Sequence, residues 1–236
     1  MSWPPLFELG DLTLTLPLAA AMAAGLLGAR DWRAALAWVC LFALALGTVG
    51  AAKLAFLGWG TGLPSLDFKA PSGHAAGVSV VFPTLFYLLL RQRNARLGQV
   101  DIALGTAAGA AIHIAAGNAA DRAAGTAARF SAGTAAGVAA GILLGAAAAA
   151  LLVLAGEHSP AEAWAGWLVG TSASLAAIRL AGPAPVARPL AGLACALLAF
   201  CGVAWAMQRA QVGYWMIKVA LALSGNARPF PWDSCS

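Results

Sequence analysis

The sequence predicts an all-α polytopic membrane bundle of about six transmembrane helices in a single domain spanning 1–236, and three observations carry that prediction. Hydrophobic residues make up 61% of the 236 and charged residues only 10%, whereas a soluble domain carries about 25% charged residues. The mean hydropathy is +0.80. Apolar runs recur at lengths close to the ~20 residues that a helix needs to cross a bilayer core. A soluble fold is therefore excluded. The net charge of +5 comes mostly from arginines between the runs, and no basic stripe interleaves with aromatics, which argues against nucleic acid as a partner and for membrane lipids.

The runs place crossings near 13–29, 34–57, 74–90, 135–156, 161–178 and 189–207. Glu8 and Asp11 precede the first run and no Lys or Arg occurs before Arg30, so the positive segment of a cleavable signal peptide is missing. Arg30 and Arg33 follow the first run, Arg91, Arg93 and Arg96 the third, and Arg179 and Arg188 flank the loop after the fifth. The positive-inside rule puts these three loops in the cytoplasm, and the 58–73 and 156–160 loops outside. Cys40, Cys195, Cys201 and Cys235 show no metal-binding spacing, and the first three fall in apolar runs, where they read as buried small hydrophobes.

The stretch 101–145 is rich in Gly and Ala and of low complexity. Glycines at 105, 109, 117, 125, 133, 137, 141 and 145 share one four-residue phase, with His113, Asp121 and Arg129 in its other slots. Two readings stand: a low-complexity expansion with little specific role, or a glycine zipper, a face on which helices of the same chain or of a second copy can pack closely. If both halves of the stretch crossed the membrane, the histidines at 74 and 158 would end on opposite sides. We therefore expect 101–131 to be a non-spanning insertion.

Those histidines are the candidate chemistry. Pro71-Ser72-Gly73-His74 opens one apolar run and His158-Ser159-Pro160-Ala161-Glu162 opens another. Ionisable groups at the mouths of membrane helices are costly, which makes them a functional hypothesis by default. A helix starting near His74 offers the N–H groups of Ser72, Gly73 and the first turn, with the positive end of its dipole, to an anion. Ser72 is also a natural N-cap. His158 and Glu162 lie four apart on one helical face, so the carboxylate can hold one ring nitrogen and leave the other as a nucleophile. Ser159, Pro160 and Glu162 equally fit a helix start, although a cap alone does not account for the imidazole.

Lys53, Pro-Ser-Gly-His at 71–74 and His-Ser-Pro-Ala-Glu at 158–162 followed by Ala-Trp-Ala-Gly at 163–166 resemble the three signatures of the type 2 phosphatidic acid phosphatase superfamily, in its integral-membrane bacterial branch. That superfamily includes lipid phosphate phosphatases, undecaprenyl pyrophosphate phosphatases and acid haloperoxidases. The resemblance covers roughly 50–90 and 145–180. It implies a multi-pass protein of the bacterial inner membrane whose site faces the extracytoplasmic side, the same side the arginines give. It further implies that His158 attacks phosphorus, Glu162 orients it in the place of the usual aspartate, and His74 is the general acid. Lys53, Ser72 and Gly73 would hold phosphate oxygens, and no cofactor or metal is required. The substrate would be a lipid phosphate or a prenyl pyrophosphate; the Leu, Ala and Trp lining does not choose among phosphatidate, lysophosphatidate, phosphatidylglycerol phosphate and prenyl pyrophosphates.

The sequence departs from the pattern at two arginines. The places where the family carries Arg-Pro and Ser-Arg are Gly60-Thr61 and Leu151-Leu152 here. Loss of one such arginine costs on the order of 10³- to 10⁵-fold in rate. Lys69, or Arg122 or Arg129, would have to replace the charge, and an arginine introduced at Leu152 is expected to reach the same oxygens. The alternative is a catalytically weakened or inactive relative that acts as a membrane scaffold.

Overall fold

Asp11 and Asp31 open the first two helices, each turning a carboxylate oxygen onto a first-turn N–H, that of Thr13 at 2.7 Å and that of Ala34 at 3.3 Å. The computed structural model describes residues 10–109, 132–181 and 189–231. These form seven α-helices and no strand: α1 (Leu12–Gly28), α2 (Trp32–Trp59), α3 (Gly73–Gly109), α4 (Ala132–Leu154), α5 (Pro160–Leu180), α6 (Pro189–Met207) and α7 (Val212–Ser224). A single 3₁₀ turn, Pro64–Leu66, lies between α2 and α3.

Small residues set the packing. α4 runs antiparallel to α3, with Gly137 against Leu90, Gly141 against Pro83 and Gly145 against Ser79. A Cβ at any of the three would collide with its neighbour, so the glycine phase read in the sequence is a helix-packing face within the chain over this segment. Each glycine costs about 1 kcal/mol of helix stability relative to Ala, which the close approach offsets. α5 runs parallel to α3: Gly166 meets the Ser72 carbonyl, Gly170 the Ala76 carbonyl, and Ser174 Oγ bonds Thr84 Oγ1 at 2.7 Å. α6 lies on α1 through Gly25, Gly28 and Gly192. The apolar core is built from Met22, Leu26, Trp38, Phe42, Val81, Tyr87 and Ile178, and the Trp38 ring N–H is satisfied by the Ala19 carbonyl at 2.9 Å.

Among the described residues, Trp32–Trp59, Gly73–Arg91, Gly133–Leu154 and Leu190–Met207 are long and apolar enough to cross a membrane. The other two expected crossings are helices of a different kind. α1 is apolar but has 17 residues, and α5 turns Glu162, Thr171 and Ser174 inward against its neighbours. α3 continues well beyond the expected end near 90, to Gly109, because the charged residues after Leu90 are good helix formers that need no apolar partner. The part of the expected insertion at 101–109 is thus helical, while 110–131, with Arg122 and Arg129, lies outside the described residues. Two expectations need correction. Cys40, Cys195 and Cys201 are exposed rather than buried, and Cys195 Sγ lies against Gly28 of α1. Arg91, expected in a loop, lies within α3 and forms a part-buried ion pair with Asp31 at 2.9 Å.

That pair marks one end of the bundle. At the other end the N-termini of α1, α3 and α5 meet the C-termini of α2 and α4. The two histidine segments therefore share an end.

Candidate active site

Ser159 starts α5 with a full capping box. Its Oγ accepts the Glu162 N–H at 3.3 Å, the Glu162 carboxylate accepts the Ser159 N–H at 3.3 Å, and Pro160 stands at the first helical position. The same Glu162 oxygen, Oε2, lies 2.9 Å from His158 Nδ1. The other, Oε1, accepts the Lys69 N–H at 3.0 Å. Glu162 is 5% exposed, and the Ser159 and Lys69 N–H groups hold its carboxylate where it meets the His158 ring. Among the described residues His158 Nε2 has no hydrogen-bond partner of this kind, as a nucleophile requires.

The first turn of α3 is held to this point by main chain. Ser72 N–H donates to the Glu162 carbonyl at 2.9 Å, and Ser72 Oγ accepts the Ala75 N–H at 3.3 Å. Ser72 is thus the cap of α3, but its N–H, expected to be free for an anion, is already engaged. Gly73 and His74 keep the first-turn donors. Lys53, half-buried on α2, places Nζ 3.5 Å from where a Cβ on Gly73 would stand. Two parallel helix N-termini and one ammonium group converge here, which favours a bound oxyanion. The His74 and His158 rings face each other with centroids 6.4 Å apart, inclined at 53°. Groups that act on a bound molecule must come within about 3 Å of it, and the two rings stand close enough to address the same one.

Lys69, the expected replacement cation, is committed elsewhere: its Nζ lies 3.6 Å from Asp67 Oδ1. The two missing arginines are also explained. Gly60 ends α2 in the left-handed region at φ 64°, and a Cβ there would stand 2.7 Å from the Phe230 ring. Leu152, expected to face the pocket, is instead 4% exposed and packed with Ala75, Ala149 and Ala163 under the two helix N-termini. Neither position has space or backbone for a guanidinium. Among the described residues no group of three or more His, Cys, Asp and Glu is placed to hold a metal ion.

One ionisable residue at this end has no signature in the sequence. Asp11 Oδ2 lies 3.9 Å from His74 Nε2, while Oδ1 caps α1. Burial raises the Asp11 carboxyl, but the Thr13 hydrogen bonds and then His74 outweigh it, and the group sits below its ordinary value. No periodicity links positions 11 and 74. The only local hint is Gly10, where a Cβ would stand 2.6 Å from the His74 carbonyl oxygen.

No family model and no solved structure matches the chain. It is similar to an uncharacterized 22.5 kDa protein in the cps region of Klebsiella pneumoniae, 34% identical over 113 residues, which is 48% of this chain and 54% of that protein. The chain thus spans about half the length of the curated relative it matches.

Proposed function

We propose that the protein is a membrane phosphatase that hydrolyses a lipid phosphate monoester or a prenyl pyrophosphate through a phosphohistidine. The observation that carries this reading is the His158–Glu162 pair facing His74 across 6.4 Å at two parallel helix N-termini. In the first step His158 Nε2 attacks phosphorus. The N–P bond forms as the P–O bond to the leaving group breaks, and His74 gives its proton to the departing oxygen. In the second, water attacks the phosphohistidine, His74 takes the proton, the N–P bond breaks and inorganic phosphate leaves. Lys53, the N–H groups of Gly73 and His74 and the two helix dipoles oppose the charge on the equatorial oxygens. The site belongs on the extracytoplasmic side of a bacterial inner membrane. Its partners are a lipid substrate and the surrounding lipid, with Gly-rich faces outside the α3–α4 contact left for a second copy.

The test is phosphate release by purified protein in detergent, with phosphatidate and a prenyl pyrophosphate as substrates and His158→Ala as control. A second reading, a weakened or inactive relative acting as a scaffold, is favoured by one observation: both arginine positions are filled, by Gly60 beneath Phe230 and by buried Leu152. Absence of release from both substrates decides for it.

A further inference from the structure

We propose that Asp11 is a positioning residue of the site, holding the His74 imidazolium as the proton donor while it caps α1. This rests on the phosphatase reading for its purpose, but not for its measurement. The geometry has three parts. The two carboxylate oxygens do different things: Oδ1 accepts the Thr13 N–H at 2.7 Å, and Oδ2 lies 3.9 Å from His74 Nε2. That distance is too long for a direct hydrogen bond and short for a charge contact. Gly10 seats the carboxylate there, since its backbone rests on the His74 carbonyl and Cα with no room for a Cβ, and its own carbonyl oxygen is 3.1 Å from where a Cβ on Gly77 would be. Thr15 Oγ1 donates to the Asp11 carbonyl at 3.0 Å and fixes the turn.

The charged and titratable groups facing His74 are Asp11 from the start of α1, Lys53 from α2, and His158 and Glu157 from the turn between α4 and α5. Burial first, and then Lys53 and the His158 ring, oppose a charge on His74. Glu157 is exposed, so its effect is screened by water. Asp11 is left as the close carboxylate that stabilises a proton on Nε2, as Glu162 holds Nδ1 of His158. The site then has two histidine–carboxylate pairs with separate tasks, one pair for attack and one for protonation.

The cap and the charge can be separated, because Asn and Ser cap helices about as well as Asp but carry no charge. In the full-length protein in detergent, histidine-labelled for NMR, Asp11→Asn should lower the titration midpoint of His74 at low ionic strength. The shift should shrink with added salt. The alkaline limb of the phosphate-release profile should move to lower pH by the same amount, since the acid form of His74 is lost sooner. Asp11→Ser should reproduce both. An unmoved His74 midpoint in either folded variant overturns the proposal, whatever the activity. If the wild type releases no phosphate, the functional reading falls while the NMR midpoint still decides the Asp11–His74 link. If the midpoint moves and the limb does not, Asp11 has no positioning role in turnover and the proposal is overturned in that part.

Discussion

The backbone N–H of Ser72 donates to the carbonyl of Glu162 at 2.9 Å, so the two histidine segments are joined through main chain as well as through side chains. The bond fixes the first turn of α3 relative to the first turn of α5. His74 and His158 each follow or precede one of its ends by a few residues, and their spacing follows from it. Close packing of Gly166 on Ser72 protects the bond from water.

Glu162 combines a structural role and a chemical one, and two substitutions separate them. Glu162→Gln keeps one oxygen for the capping box but turns an amide NH2, which cannot accept, toward the Lys69 N–H and removes the charge that holds His158. Phosphate release per folded molecule should fall by on the order of 10²- to 10⁴-fold, with a smaller loss of thermal stability in detergent than on removing the side chain. Glu162→Ala should be as slow and also less stable. The Ser159 cap on the residue-162 N–H remains, but the Ser159 and Lys69 N–H groups both lose their acceptor, at about 1–3 kcal/mol each. Equal stability of the two variants would contradict the capping role.

The positions of the missing arginines should not accept one. Leu152→Arg places a charge among Ala75, Ala149 and Ala163, at a cost of about 2.5–3.5 kcal/mol at mid-membrane depth and less toward the surface. We expect a reduced monodisperse fraction on gel filtration and no gain in rate per folded molecule. Gly60→Arg forces a side chain into left-handed backbone and displaces Phe230, with the same outcome. A rate increase in either folded variant would show that the site is less filled than the packing indicates.

The sidedness follows from the shared helix ends. With the native cysteines replaced, Gly62→Cys and Glu157→Cys should react with an impermeant thiol reagent from the same side of sealed vesicles, and Arg93→Cys from the other. Glu157 and Arg93 are exposed, which makes them better probes than the capping Ser159. Labelling of Gly62→Cys and Glu157→Cys from opposite sides would rule out a joint site.

The bundle and the two histidine motifs were legible in the sequence for physical reasons. Apolar length reports crossings, and Ser159, Pro160 and Glu162 report a helix start with a local signature. The glycine phase at 137, 141 and 145 likewise reports a packing face, although its partner, α3, could not be named in advance. What escaped depends on contacts distant in sequence. Asp11 reaches His74 only because α1 is set against the first turn of α3. Phe230 covers Gly60 only because the segment after α7 returns to α2, with Phe230 N–H bonded to the Leu57 carbonyl at 3.0 Å and Asn226 Nδ2 bonded to the Gly58 carbonyl at 2.6 Å. α7 itself, with 13 residues, is too short to register as a crossing. The packing of Leu152 under the helix N-termini escapes as well, since position along a helix does not give the rotational face.

The central claim is that His158 is the phosphoryl acceptor, and its most direct test is phosphate release from phosphatidate or a prenyl pyrophosphate by wild type and His158→Ala in detergent. His158 takes no part in the capping box of α5, so the variant should fold. The account predicts release by the wild type and a loss of more than about 10³-fold in the variant. Release by folded His158→Ala at the wild-type rate would contradict it.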